Sequence, residues 1–253
     1  MLSAERRAYL LEKTQSSGFI TVAEVSAALG VTPMTIRRDL DQLEREGLVV
    51  RSHGGAIHRL GGATMEIPYN VKRGRLVAEK TRIGALASTL VRDGDTIICD
   101  SGSTVFQLAT QLRGKRRLTV VTNDLQVAIH LAGLSGVQVV VPGGVVNGPV
   151  YTLLGPQTEA FLRTLTVDRV FLGADAIDLE AGITNVNLVE VAAKQAMIGA
   201  AREVVVLADN SKFDRRVFAR VCGLEAVSRI VTDRELPDEA RRRYGDRVEL
   251  MLA

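Results

Sequence analysis

Apolar residues follow two different rhythms along this chain. In the first sixty residues they recur at helical spacing. Residues 4–16 set Tyr9, Leu10 and Leu11 among charged positions, which predicts an amphipathic helix that Ser16-Ser17-Gly18 breaks. Thr21 and Glu24 stand three apart, the spacing at which a hydroxyl and a carboxylate cap each other's amides. They open a short helix, VAEVSAALG, that Gly30 closes. Thr32 caps the next helix and Pro33 takes its first position, where a missing N–H costs nothing. That helix, PMTIRRDLDQLERE, stops at Gly47 and buries one stripe of Ile36, Leu40 and Leu43. LVVRSHGGAIH then alternates apolar and polar residues and turns at Gly54-Gly55, the pattern of a β-hairpin.

From residue 79 the rhythm changes. Short β-branched runs appear at 95–99, 118–122, 137–141, 168–172, 203–207 and 229–232. Helical patterns fill most gaps: EKTRIGALASTLV, TVFQLATQL, LQVAIHLAG, TEAFLRTL and LVEVAAKQAMIGAAR. Strands apolar on both faces and separated by helices predict a mostly parallel α/β sheet. The expected organisation is a winged helix-turn-helix at 1–58, a connecting arm at 59–78 and a mostly parallel α/β effector-binding domain at 79–253. The arm carries Gly61-Gly62, Pro68, Gly74 and a basic cluster of Lys72, Arg73 and Arg75.

Composition narrows the function less than pattern does. The chain has 253 residues, a net charge of +3 and no Trp. Residues 1–60 carry eight Lys and Arg against seven Asp and Glu, so a nucleic-acid partner has to be argued from where the charges sit. Cys99 and Cys222 lie far apart beside apolar residues, as reduced core thiols of a cytoplasmic protein would. His53, His58 and His130 have no metal-ligand spacing, so neither a metal nor a cofactor is expected. No apolar run approaches the ~20 residues that span a bilayer, and MLSAERRAYLLEK lacks a signal-peptide core; no membrane role is expected.

Two short capped helices joined by a Gly-bearing turn form a helix-turn-helix, whose second helix enters the major groove of double-stranded DNA by its N-terminal part. The face opposite the buried stripe presents Met34, Thr35, Arg37, Arg38 and Asp41. Paired arginines suit guanine edges or phosphates. With Thr32 at the cap, and Arg51, His53 and Gly54 on the hairpin wing (which also bears His58), these are the candidate DNA contacts.

In the second region each strand ends in polar residues, and in a parallel sheet those ends share one edge, where open α/β folds bind ligands. Asp100-Ser101-Gly102-Ser103-Thr104 leads from a strand into a helix whose first amides stabilise an anion. Gly102 allows close backbone approach, Ser103 and Thr104 add hydroxyls, and Gly143-Gly144 follows another strand. Lys194 and Lys212 supply charge, and Asp100, Asn123, Asp175 and Asp209 accept from hydroxyls. A phosphorylated polyol fits that chemistry. Glu190 and Lys194 stand at i and i+4, which by default describes a surface ion pair, yet at this edge Glu190 joins Lys194 among the candidate effector contacts.

The chain resembles the DeoR family of bacterial transcription regulators. The recognition helix Thr35-Ile-Arg-Arg-Asp-Leu40 and the wing His53-Gly-Gly-Ala56 stand as in that family. So do Asp100 to Thr104, Thr122-Asn123, Gly143-Gly144, Gly173 to Asp175, Glu190 with Lys194, Asp209 to Phe213 and Thr232-Asp233. ITNVN at 183–187 replaces the commoner L-T-T-P-N, and Asp214 stands where Gly is frequent. The resemblance implies a sensor domain related in fold to ribose-5-phosphate isomerases and CoA-transferases, in a repressor that responds to a phosphorylated sugar effector. The expected state is a homo-oligomer, dimer or tetramer, on operator DNA. The alternative is a sugar-phosphate isomerase or transferase with a DNA-binding appendage; the Gly-rich stretch carrying the catalytic carboxylate of such isomerases has no counterpart, so no catalytic residue is expected.

Overall fold

A computed structural model describes residues 2–17, 19–52, 54–58, 69–148 and 150–253. The chain divides into two compact units, Met1–Arg75 and Leu76–Ala253.

The first unit contains α1 (Ser3–Ser17), β1 (Phe19–Thr21), α2 (Val22–Leu29), α3 (Pro33–Arg45), β2 (Val49–Ser52), β3 (Gly55–His58) and α4 (Tyr69–Arg73). Ile36, Leu40 and Leu43 are buried as their spacing predicts, and pack with Leu10, Ile20, Val25 and Val49. The hairpin β2–β3 forms with Arg51 opposite Ala56. The short strand β1, absent from the pattern-based expectation, pairs antiparallel with β3. Its three residues carry too little local signal, and its partner lies almost forty residues away. That pairing also revises the reading of Gly54-Gly55 as a turn alone. A Cβ on Gly55 would lie 1.8 Å from the carbonyl oxygen of Ile20, so Gly55 is needed where β1 crosses close to the wing. Of the expected connecting arm, 59–68 lie outside the described residues; α4 forms within its later part.

The second unit begins with α5 (Val77–Ser88), β4 (Thr96–Cys99), α6 (Ser103–Thr110), β5 (Leu118–Thr122), α7 (Leu125–Ala132) and β6 (Val137–Val140). It continues with β7 (Val145–Asn147), β8 (Thr152–Leu154), α8 (Pro156–Arg163), β9 (Val167–Gly173), β10 (Ala176–Asp178), β11 (Gly182–Asn185) and α9 (Leu188–Ala200). The last elements are β12 (Ala201–Leu207), β13 (Ala219–Cys222), β14 (Arg229–Thr232), α10 (Asp238–Gly245) and β15 (Glu249–Leu252). Seven strands form one sheet in the order β15-β14-β12-β9-β4-β5-β6. Every neighbouring pair in it is parallel. The chain starts in the middle at β4, works outward to β6, then returns to β9 beside β4 and works outward the other way. The switch point of the sheet therefore lies between β4 and β9, where crevices form at the carboxyl ends of strands.

All six predicted strands belong to this sheet. The strands that pattern missed are short: β15 adds an edge to the large sheet beside β14, β7–β8 form an antiparallel hairpin, and β10, β11 and β13 a small antiparallel sheet. Asp214, where the resembling family often has Gly, adopts a left-handed φ of 52°. Asp tolerates that region better than most residues. Here its carboxylate also accepts from Arg243 at 2.7 Å and from the Tyr244 hydroxyl at 3.2 Å.

Candidate functional site

The helix-turn-helix is built from its caps. The Thr21 hydroxyl accepts the Glu24 amide at 3.1 Å and Glu24 accepts the Thr21 amide at 3.3 Å. Gly30 ends α2 at a left-handed φ of 64°. The Thr32 hydroxyl then accepts the Thr35 amide at 3.3 Å, with Pro33 in the first turn of α3. These caps end α2 and begin α3 within three residues. They leave Thr32, Met34, Arg37, Arg38 and Gly54 exposed, with Thr35 and Arg51 half-buried. His53 lies outside the described residues.

Two acidic residues of α3 separate by face. Asp41, expected on the outward face with the arginines, pairs with Arg51 Nε at 3.1 Å. Arg51 Nη1 also donates to the Gly55 carbonyl at 3.2 Å. Asp41 thus ties the recognition helix to the wing through Arg51. Asp39 is buried and forms an ion pair with Arg6 of α1. Asp39 is not among the residues expected on the buried stripe, yet it is three after Ile36 and four before Leu43, so helical periodicity puts it there.

In the second unit the switch point holds a buried ion pair. Lys194 of α9 and Asp100, just beyond β4, are 3% and 1% exposed. The Lys194 ammonium donates to Asp100 Oδ2 and, at 3.0 Å, to the Gly173 carbonyl at the end of β9. Asp100 Oδ2 also accepts the Gly173 amide at 2.9 Å. Burial alone would depress the lysine's pKa; Asp100, with Glu190 and Asp175, outweighs it and raises the pKa above the usual value. This corrects the surface-pair expectation. Glu190 is buried and accepts the Asn185 side-chain amide at 2.7 Å, while Asp100 holds Lys194. Asp175 accepts the Val186 amide at 3.1 Å. Asn185 and Val186, two of the departures in ITNVN, thus engage two of the candidate carboxylates.

The Asp100–Thr104 segment differs from expectation in one respect. Helix α6 starts at Ser103 behind Gly102, whose φ is 131°, and no side chain caps it. Ser103 and Thr104 are buried there, and Ser101 is half-buried. The Gly102 amide, however, donates to Asp124 Oδ2 at 3.2 Å. Asp124 also caps α7 by accepting the Gln126 and Val127 amides at 2.7 and 3.1 Å. Of the two neighbours at this strand end, the expected site residue is Asn123, and Asp124 is an addition from the structure. Burial pushes the Asp124 carboxyl up to about 6, against the three amides and helped by Asp100. Asn123 is buried too; its amide donates to the Leu153 carbonyl at 3.3 Å, and its Oδ1 has no hydrogen-bond partner among the described residues.

On the other side of the switch point, Asp209 follows β12 and accepts the Ser211 amide at 3.1 Å. Its other oxygen lies 4.0 Å from the ammonium of Lys80, a buried residue of α5 that sequence reasoning did not single out. Lys212 is half-buried nearby in the chain. The Gly143-Gly144 pair serves packing: the Gly143 carbonyl accepts the Thr158 hydroxyl at 2.6 Å, and a Cβ on Gly144 would lie 2.3 Å from that hydroxyl. The pair follows β6, two strands from β4. The structure therefore gathers Asp100, Gly173 and Lys194 at one point, with Ser101 to Thr104 and Asp124 beside it and Asp209 with Lys80 across β9 and β12. Among the described residues no group of His, Cys, Asp and Glu is arranged to hold a metal. No described helix is long and apolar enough to cross a membrane.

Exposed arginines on a capped helix-turn-helix, and cationic and amide donors at the switch point of a parallel sheet, define a DNA-binding transcriptional regulator with a sensor domain. The chain belongs to the DeoR family. The family model of the DeoR-like helix-turn-helix domain matches residues 6–59, and that of the DeoR C terminal sensor domain matches residues 76–234. The chain is 34% identical to the HTH-type transcriptional regulator GlpR of Haloferax volcanii, over 95% of this chain and 94% of that one. It is 32% identical to the putative aga operon transcriptional repressor of Escherichia coli O157:H7, over 99% and 94%. It is 33% identical to the HTH-type transcriptional regulator YulB of Bacillus subtilis, over 98% and 95%. Among solved structures, ribose 5-phosphate isomerase A from Methanocaldococcus jannaschii is 20% identical over 53% of each chain, with a TM-score of 0.39.

Proposed function

We propose that this regulator is a cytoplasmic repressor whose grip on operator DNA changes when a phosphorylated sugar or related metabolite binds at the β4–β9 switch point. The buried Asp100–Lys194 pair carries this reading. A lysine taken out of water is costly unless it is paired, and here it sits beside a helix N-terminus that no side chain caps. Such an end stabilises an anion, and Asp100 and Asn123 offer acceptors for hydroxyls. DNA is read by Thr32, Met34, Thr35, Arg37, Arg38, Arg51, His53 and Gly54. Residues 79–253 form the effector domain and 59–78 the connection to it. Two copies on a two-fold axis read half-sites about 34 Å apart, or a multiple of that.

No turnover is part of this reading. Proton abstraction from a sugar needs a carboxylate base within reach of the carbon acid. The two acidic candidates, Asp175 and Glu190, are engaged by the Val186 amide and the Asn185 side chain. The test is fluorescence anisotropy of the protein on DNA from upstream of its own gene, at fixed salt because affinity depends on it. Sugar phosphates are titrated beside the free sugars. A shift with one phosphorylated compound and none with its free sugar is expected. No shift with any compound overturns the effector reading and leaves the DNA-binding one standing.

A further inference from the structure

We propose that two copies of this chain associate through the corner made by β6, α7 and the β7–β8 hairpin, with β6 of one copy antiparallel to β6 of its partner. This rests on the two-copy part of the reading above and not on its effector part. The sequence marks the region. Residues 125–158 contain no Asp, Glu, Lys or Arg, although such residues make up 24% of the chain. A two-fold axis sets a patch against its own copy, so any charge near the axis would face its like. A stretch without charge is what a second copy can cover, and depletion of charge marks the core of protein interfaces.

The backbone points the same way. Strand β6 ends the large sheet, and its only strand partner among the described residues is β5. Its other side presents backbone amides and carbonyls that no described strand takes up. Proteins usually protect such an edge with charged residues. The opposite edge of the same sheet has that protection: β15 follows Asp246 and Arg247 and opens with Glu249, which pairs with Arg229 at 3.5 Å. Strand β6 reads Val-Gln-Val-Val, with Val141 after it, and none of the strand's residues is buried. Antiparallel pairing with its own copy is the arrangement a two-fold axis allows an edge strand, and it satisfies those groups.

Apolar side chains flank that edge. Helix α7 packs on β6 and leaves Ile129 71% exposed. Val141 is exposed where β6 ends, and β7 leaves Val145 72% exposed with Val146 beside it. The hairpin is tied to α7: the Tyr151 carbonyl accepts the Leu125 amide at 3.0 Å, and the Asn123 carbonyl accepts the Leu153 amide at 2.8 Å. Tyr151 is itself exposed and adopts a left-handed φ of 54°, which a bulky residue rarely takes. Apolar surface gathered in this way marks a site of association. Beyond it, at the amino end of β5, Arg116 pairs with Asp93 at 3.0 Å, which supplies the polar rim of such a core.

Sedimentation of the full-length protein tests this in wild type, in the triple variant Ile129→Lys, Val141→Lys and Val145→Lys, and in Phe218→Lys, which changes an exposed apolar residue beside β13. The triple variant is expected to have half the mass of wild type. Its self-association should be weakened about a hundredfold or more, because like charges then meet across the axis. Phe218→Lys keeps the wild-type mass. Hydrogen exchange gives a second readout that needs no variant and decides alone if circular dichroism shows the triple variant unfolded. In wild type the amides of 137–141 should exchange more slowly in the associated protein than after dilution to single copies. A folded triple variant with the wild-type mass overturns this surface and leaves the two-copy reading standing. So do β6 amides that exchange equally fast in both states, and so does a halved mass in Phe218→Lys. A wild-type protein that is a single copy both free and on operator DNA overturns the two-copy reading, and this inference with it, while the effector titration stands apart.

Discussion

The two units handle charge in opposite ways. In the DNA-binding unit the arginines proposed to work, Arg37 and Arg38, are exposed, and the buried Asp39 with the half-buried Arg6 holds α1 to α3. In the sensor unit the charges proposed to work, Asp100, Lys194 and Asp209, are themselves buried. The physical reason lies in the partners. DNA brings its own charge and releases counterions on contact, so its reader can wait in water. A small ligand offers few contacts, so its site has to be desolvated and pre-arranged before it arrives. The same kind of substitution should then have different consequences in the two places.

The largest effect is expected at Lys194→Met. It leaves Asp100 buried without its cation, which costs about 3–5 kcal/mol. Chemical unfolding should show that loss, and the ligand response should vanish with it. Wild-type stability with a lost response would break the comparison, because the pair would then be functional without being structural.

Asp124 should show nearly as large an effect through pH. Its carboxyl, raised to about 6 by burial, keeps a proton in the folded chain at pH values where the unfolded chain has lost it. Its contribution to stability is therefore greatest at low pH and falls as pH rises from about 4 to about 6. The integrated difference is about 3 kcal/mol. Asp124→Asn should flatten that part of the stability profile, measured by urea unfolding across the range. An unchanged profile would remove Asp124 as the titrating group.

The smallest effect on folding, and the clearest on function, is expected at Arg37→Ala and Arg38→Ala. The melting temperature should not move. Operator affinity should drop by about 1–3 kcal/mol where the arginine reads a guanine. An arginine on a phosphate should instead lower the salt slope by about one. Unchanged operator binding in both would sink the recognition-helix assignment.

Much of the first unit was legible because its determinants are local. A cap at Thr21, another at Thr32, Pro33, Gly30 and the Ile36–Leu40–Leu43 stripe each act within one or two turns of chain. What stayed hidden there was a long-range contact, β1 crossing at Gly55. Six of the seven strands of the large sheet were also legible, since strands buried on both faces must be apolar throughout; the edge strand β15 was not. The candidate site was legible as residue types at strand ends, but its pairings were not. The i,i+4 spacing offered Glu190 to Lys194 as a surface pair, and the fold gave Lys194 to Asp100 instead, 94 residues away. Lys80 looked like one more charged residue of a helix until α5 was packed beneath β12 and β14.

The sequence by itself determined the helix-turn-helix, the parallel sheet and the set of polar residues at one edge, because caps, periods and strand ends are written in neighbouring positions. Only the tertiary structure decided which charges meet. Burial removes the water that would otherwise solvate each of them, so a lysine's partner is chosen by which carboxylate the strand order brings to it, and strand order is not a local property.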